Sequence, residues 1–179
     1  MKSFGALQQS VEGWVSILRG EAGWQERFRL SWAGLATAVV LFYLFAFLGV
    51  VLASFSYEVP TLTEFVATMV IQSLYLLALV IGVFGTRSVV KDKALVLPVL
   101  IPGVYALVYY LILGALISLV FGPLLPVLWM GLLYMFFRLG RAGGGWTIGV
   151  SAAFAVLTVL LLVGTPIALY MMPAPVPAA

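Results

Sequence analysis

Cysteine and histidine are both missing from this 179-residue chain, and charge is scarce, at 8% of residues. Without Cys there is no disulfide, no thiolate nucleophile and no thiolate metal ligand. Without His there is no imidazole base and no ordinary zinc or haem ligation. A water-soluble domain normally devotes about a quarter of its residues to charge. The shortage here leaves too little polar surface to clothe a globule in water, since 64% of the chain is hydrophobic. The nine Lys and Arg outnumber six Asp and Glu. They form no continuous patch and do not alternate with aromatics, so nucleic acid is not an expected partner.

What the chain does have is long apolar runs: 30–54, 64–85, 94–121, 123–137 and 146–172. A helix needs about 20 apolar residues to cross a hydrocarbon layer of about 30 Å. Backbone groups in lipid must bond within their own segment, and no period-two alternation runs through these stretches, so each reads as a helix. The expected fold is all-α: a polytopic integral membrane bundle of five transmembrane helices. An amphipathic segment (1–29) precedes the transmembrane domain (30–172), and a short Pro/Ala-rich tail (173–179) follows it. The first run is too long for the apolar core of a cleaved signal peptide. The fourth is short; a full crossing is the expectation, with a re-entrant hairpin of the third and fourth runs as the alternative.

The few charges are placed with a bias. Lys2, Arg19, Arg27 and Arg29 precede the first run. Arg87, Lys91 and Lys93, with Asp92, fall in the link "GTRSVVKDKA" between the second and third, and Arg138 and Arg141 fall between the fourth and fifth. The opposite links carry only Glu58 and Glu64. In a five-span layout every basic residue therefore lies on one face. Cytoplasmic loops are the Lys/Arg-rich ones, which predicts a cytoplasmic N-terminus and an outside C-terminus. Burying one such cation at a helix centre costs about 2.5–3.5 kcal/mol, so a misplaced loop would be heavily penalised.

Ahead of the first run, Phe4, Leu7, Val11, Trp14, Val15 and Leu18 recur at helical spacing. This predicts an amphipathic helix lying in the headgroup region, with Trp14 and Trp24 as interfacial anchors. A helix packed beneath the bundle as part of the fold is an equal alternative.

Within the spans, Glu64, Thr68, Gln72 and Tyr75 make a polar stripe on the second helix. Pro98, Pro102, Tyr105 and Tyr109 share a face of the third. Tyr75 and Tyr109 should lie at similar depth, so the stripes are expected to face one another as a polar seam. Bonds between helices in lipid usually serve packing, which makes interhelical glue the leading reading and a lining for a substrate or lipid headgroup the second. Glu64, at a helix start, suits capping. Small residues four apart (Gly34/Ala38, Gly49/Ala53, Gly114/Ser118, Gly149/Ala153, Gly164/Ala168) suit close helix approach. "RAGGGW" (141–146) reads as a flexible turn; it lacks the strand, Lys and Ser/Thr of a phosphate-binding loop.

No nucleophile–base pair and no metal site can be assembled from these residues, so neither catalysis nor a cofactor is expected. The five-span layout, the "SVEGWVSIL" segment ahead of the first span and the C-terminal "WMGLLYMFFRLGRAGGGWTIGVSAAFAVLTVLLL" resemble the bacterial branch of the Yip1-like membrane proteins. The "DLYGP"-type motif of that family's eukaryotic members is missing. The resemblance implies a role in membrane organisation, or as a partner of other membrane proteins or of itself, without an active site to carry over. The alternatives are an accessory subunit of a larger membrane complex and a small oligomeric transporter or channel.

Overall fold

A helix is the only open-chain way for an apolar run to satisfy its own backbone, and each apolar run forms one among the described residues. The computed structural model describes residues 2–54, 60–120 and 125–171; the side chain of Phe4, Glu58 and the tail 173–179 lie outside the described residues. The elements are α1 (Lys2–Arg19), a single 3-10 turn (Trp24–Arg27), α2 (Trp32–Ser54), α3 (Leu62–Val90), α4 (Leu97–Val120), α5 (Leu125–Ala142) and α6 (Ile148–Met171).

Four helices, α2, α3, α4 and α6, are long and apolar enough to cross a membrane. The fifth expected span, α5, is not among them. Its 18 residues rise about 27 Å, and its last turns carry Arg138 and Arg141. Two boundaries also differ from the sequence reading. α3 runs on to Val90 and α5 to Ala142, so Arg87, Arg138 and Arg141 end helices instead of occupying links. The reason is physical: cations favour helix C-termini, and long aliphatic stems carry the charged head to the helix end.

α4 organises the bundle. Residues 99–108 are buried without a break, as befits a helix that is apolar on all sides. α5 runs back along it: a side chain at Gly114 would touch Leu128, and one at Gly143 would meet the Pro98 carbonyl. α5 therefore returns over about 24 Å of α4. α6 packs along α3 and α5, and small residues set both approaches. Thr158, fully buried, lies against Gly82 of α3, and Ser151, also buried, lies against Gly140 of α5. The expected small-residue pairs do not supply these crossings. Gly34 and Ala38 are buried, but Gly49, Gly149 and Gly164 face open space. Side chains one turn away on a uniformly apolar helix give no sequence cue to which glycine meets a neighbour.

Of the two expectations for the N-terminal segment, burial favours the helix packed as part of the fold. Trp14 is 3% exposed and Trp24 5%, so both indoles are covered by the protein's own side chains instead of forming an outward anchor. Both belong, with Ile17 and Phe28, to one continuous apolar core shared with α2 through α6. Ser10 meets Tyr109 at 2.5 Å, and the Trp14 indole donates to the Pro102 carbonyl at 3.1 Å. Tyr109 is about 18 Å along α4 from Leu97. α1 thus runs antiparallel beside the first half of α4 and does not lie across its end. The buried face holds Ser10, Gly13, Trp14 and Ile17, whereas Val11 and Val15 are exposed. A hydroxyl and a glycine disguised that face: Ser10 also bonds the Leu7 carbonyl, and Gly13 makes room for the Phe28 ring.

Candidate functional site

The polar seam does not assemble as expected. On α3, Glu64 and Thr61 form a capping box, each bonding the other's backbone N–H. Thr68 bonds back to the Glu64 carbonyl. Tyr75 does meet α4, but through Tyr110, ring centroids 6.0 Å apart and edge to face. Tyr109 turns to Ser10 of α1, and Tyr105 packs against Phe28. The depth match was right to within one residue, and one residue rotates a helix face by about 100°. Gln72 Oε1 is buried and has no hydrogen-bond partner among the described residues. The six residues are therefore dispersed: Glu64 belongs to a cap, Thr68 to its own helix backbone, Tyr75 to an α3–α4 contact, Tyr109 to an α1–α4 contact and Tyr105 to a contact with the segment before α2, while Gln72 is buried apart from them.

What does assemble is the end of the bundle that carries the basic residues. The link after α3 and the link after α5 are joined there. Asp92 accepts from the Ala94 N–H at 2.8 Å and from the Trp146 indole at 3.0 Å. Arg87 reaches over the same link to the Asp92 and Ala94 carbonyls. Trp146 is 4% exposed and packs edge to face on Phe154 at 5.2 Å. Its carbonyl takes the Arg141 guanidinium at 2.6 Å. "RAGGGW" is consequently a packed turn, not a flexible one. A side chain at Gly143 would come within 2.6 Å of the Pro98 carbonyl, the very group to which Pro102 has no N–H to return.

α1 is tied to this end as well. It closes with Gly20 in the left-handed region (φ 76°). The Gly20 N–H bonds the Ile17 carbonyl, and the Glu21 N–H bonds the Ser16 carbonyl. That is the paired-bond helix stop for which glycine is the preferred residue. Arg138 of α5 then adds Nε and Nη2 to the same Ile17 carbonyl, at 3.3 and 2.9 Å. A cation at a helix C-terminus is electrostatically favoured. Glu12 and Arg27 pair across α1 and the 3-10 turn. Arg19, Arg27 and Arg29, the basic residues after α3 and those at the end of α5 thus belong to one end of the molecule; Lys2, which starts α1 about 12 Å beyond Ser10, is the exception to the expectation that every basic residue shares one face. Lys91 and Lys93 are exposed at that shared end, Arg29 follows the 3-10 turn, and Lys91 takes φ 55° to end α3.

Between the end of α1 and the end of α5 lies a cleft of about 480 Å³, with Ile17, Phe137 and Ile148 among its apolar walls and Arg138 and Arg141 among its polar ones. That volume is within the range of small-molecule sites. Sequence reasoning treated both arginines only as topology signals and missed Ser10, Tyr110 and Trp146. Nothing in local spacing marks Trp146, whose partner is 54 residues away.

The Asp92 clamp has a pH signature. Its carboxyl is held below the ordinary value, first by the Ala94 N–H, then by the Trp146 indole; partial burial opposes, and Arg87 assists. A depressed carboxylate stabilises the fold fully above its unfolded value of about 3.9 and loses that contribution as pH falls through the folded value. The stability gap between the parent protein and Asp92→Asn, followed by thermal unfolding in detergent, is therefore expected to be widest at neutral pH. It should narrow below about pH 4; an unchanged gap would contradict the clamp.

No family model, no curated protein and no solved structure matches this chain.

Proposed function

We propose that the chain is a non-catalytic integral membrane protein acting through contacts with lipid or with other membrane proteins, itself included. Its basic end faces the cytoplasm of a bacterial inner membrane, its C-terminus faces outside, and α5 completes a fifth, short crossing. The observation that carries this reading is the outward surface of the long helices. In α2, α3 and α6 only 22%, 22% and 28% of the most apolar stretch is buried within the chain. The remainder requires hydrocarbon or an apolar partner. The Yip1-like layout belongs to the same proposal, as a membrane-organising or scaffold role.

The accessory-subunit reading draws on the same surface, where Phe47, Leu48, Val66 and Val70 of α2 and α3 are exposed and Phe47 packs on the half-buried Phe65 ring. A photo-reactive residue at Leu48, activated in native membranes, is expected to give a discrete adduct with a protein or with lipid. Purified chain in sealed vesicles is expected to pass no solute above the protein-free background. Solute flux in that assay would replace this reading with the transporter one.

A further inference from the structure

The cleft beside α5 holds more cation than its own structure consumes. Arg138 spends Nε and Nη2 on the Ile17 carbonyl, and Arg141 spends Nη1 on the Trp146 carbonyl. The remaining guanidinium donors, Arg138 Nη1 and Arg141 Nε and Nη2, have no acceptor among the described residues. The described ion pairs are Arg19–Glu21 and Arg27–Glu12, and neither involves these two arginines. Glu21, the acid on the cleft, is already 3.7 Å from Arg19. The backbone bonds fix both guanidiniums before any ligand arrives, which removes much of the ordering cost of binding. Arginine's donor fork suits phosphate oxygens in particular.

The rest of the ligand is read from α5. Its exposed face carries Val127, Met130 and Tyr134, at 62%, 74% and 53% exposure, in steps of three and four. The same rotation continues through Phe137 to Arg138 and Arg141 at the cleft. An apolar strip thus leads along the helix to two unpaired cations. That is the charge and shape complement of an amphiphile with an anionic head. The geometry points to the cleft as a site for the phosphate of an anionic glycerophospholipid, seated on Arg138 and Arg141 with its acyl chains along the Met130–Tyr134 face of α5. This deepens the lipid-contact reading and rests on it.

The test uses the full chain in nanodiscs of phosphatidylcholine with phosphatidylglycerol titrated in, bound lipid being counted by native mass spectrometry. One phosphatidylglycerol is expected to be retained in preference to phosphatidylcholine. Arg138→Gln with Arg141→Gln should weaken that retention roughly tenfold or more, since each loses a hydrogen bond to a charged group. Lys91→Gln with Lys93→Gln removes equal charge from exposed positions at the same end and should leave it within about twofold. Because Arg138 also closes α1, Ala22→Phe provides a second variant that fills the cleft while keeping both guanidiniums; it too should abolish retention. Equal retention of the two lipids, an equal loss in the lysine pair, or full retention in Ala22→Phe would overturn the site. So would displacement by millimolar inorganic phosphate, which would mark a soluble-anion site. Failure of the chain to enter nanodiscs at all would instead count against the membrane reading itself.

Discussion

Trp146→Ala is expected to lower stability by about 3–5 kcal/mol, the range for deleting a large buried aromatic. The indole is 4% exposed, packs on Phe154, and is the side chain through which the α5–α6 turn bonds the α3–α4 link. Alanine leaves a cavity between Gly144 and Phe154 and orphans one Asp92 oxygen. Phenylalanine at this position separates the two effects. It keeps a ring against Phe154 but loses the donor, and should cost about 1–3 kcal/mol. Denaturant titration in mixed micelles, read by helicity, gives both values. Two variants of equal and small effect would mean that the two links are not held by this residue.

Trp14→Ala is expected to cost a similar 3–5 kcal/mol, with a different local signature. Trp14 and Ser10 are the side chains by which α1 bonds α4. Removing the indole takes away the packing of a 3% exposed ring and the bond to the Pro102 carbonyl together. Amide exchange should therefore rise across α1, while the 99–108 stretch of α4 changes less. Uniform loss of protection throughout the chain would contradict a discrete α1–α4 contact. The outer side of α1 carries Gln8, Gln9 and Glu12, all exposed. Polar side chains at that level favour headgroups or water over hydrocarbon on this flank.

Much of the architecture was legible because the governing penalties are large and local. An ionised Lys or Arg in hydrocarbon costs several kcal/mol, so Arg87, Lys91, Lys93, Arg138 and Arg141 marked where the apolar runs stop, though α3 and α5 themselves continue to Val90 and Ala142. Backbone satisfaction in lipid dictated helices for every apolar run. Helix rotation was not legible. On α4 the residues around Tyr109 are apolar in all directions, so nothing distinguished Tyr109 from Tyr110 as the neighbour of Tyr75. On α1 the buried face contains Ser10, whose hydroxyl is satisfied by a partner 99 residues away. The same holds for the Asp92–Trp146 bond. Such pairings depend on how elements dock, which spacing within one element does not encode. The 30–54 run and α2 agree closely, whereas α5 fell short of a full-length span because Arg138 and Arg141 lie inside its last turns.

The central claim is that lipid surrounds these helices and that the basic ends share one side of it. The absence of native cysteine allows a direct test with single cysteines at Lys93, Gly145, Thr63 and Pro126, labelled in sealed inverted and right-side-out vesicles by a membrane-impermeant maleimide. The account predicts labelling at Lys93 and Gly145 from the cytoplasmic side alone, and at Thr63 and Pro126 from the opposite side alone. Labelling of Lys93 and Gly145 from different sides would contradict it.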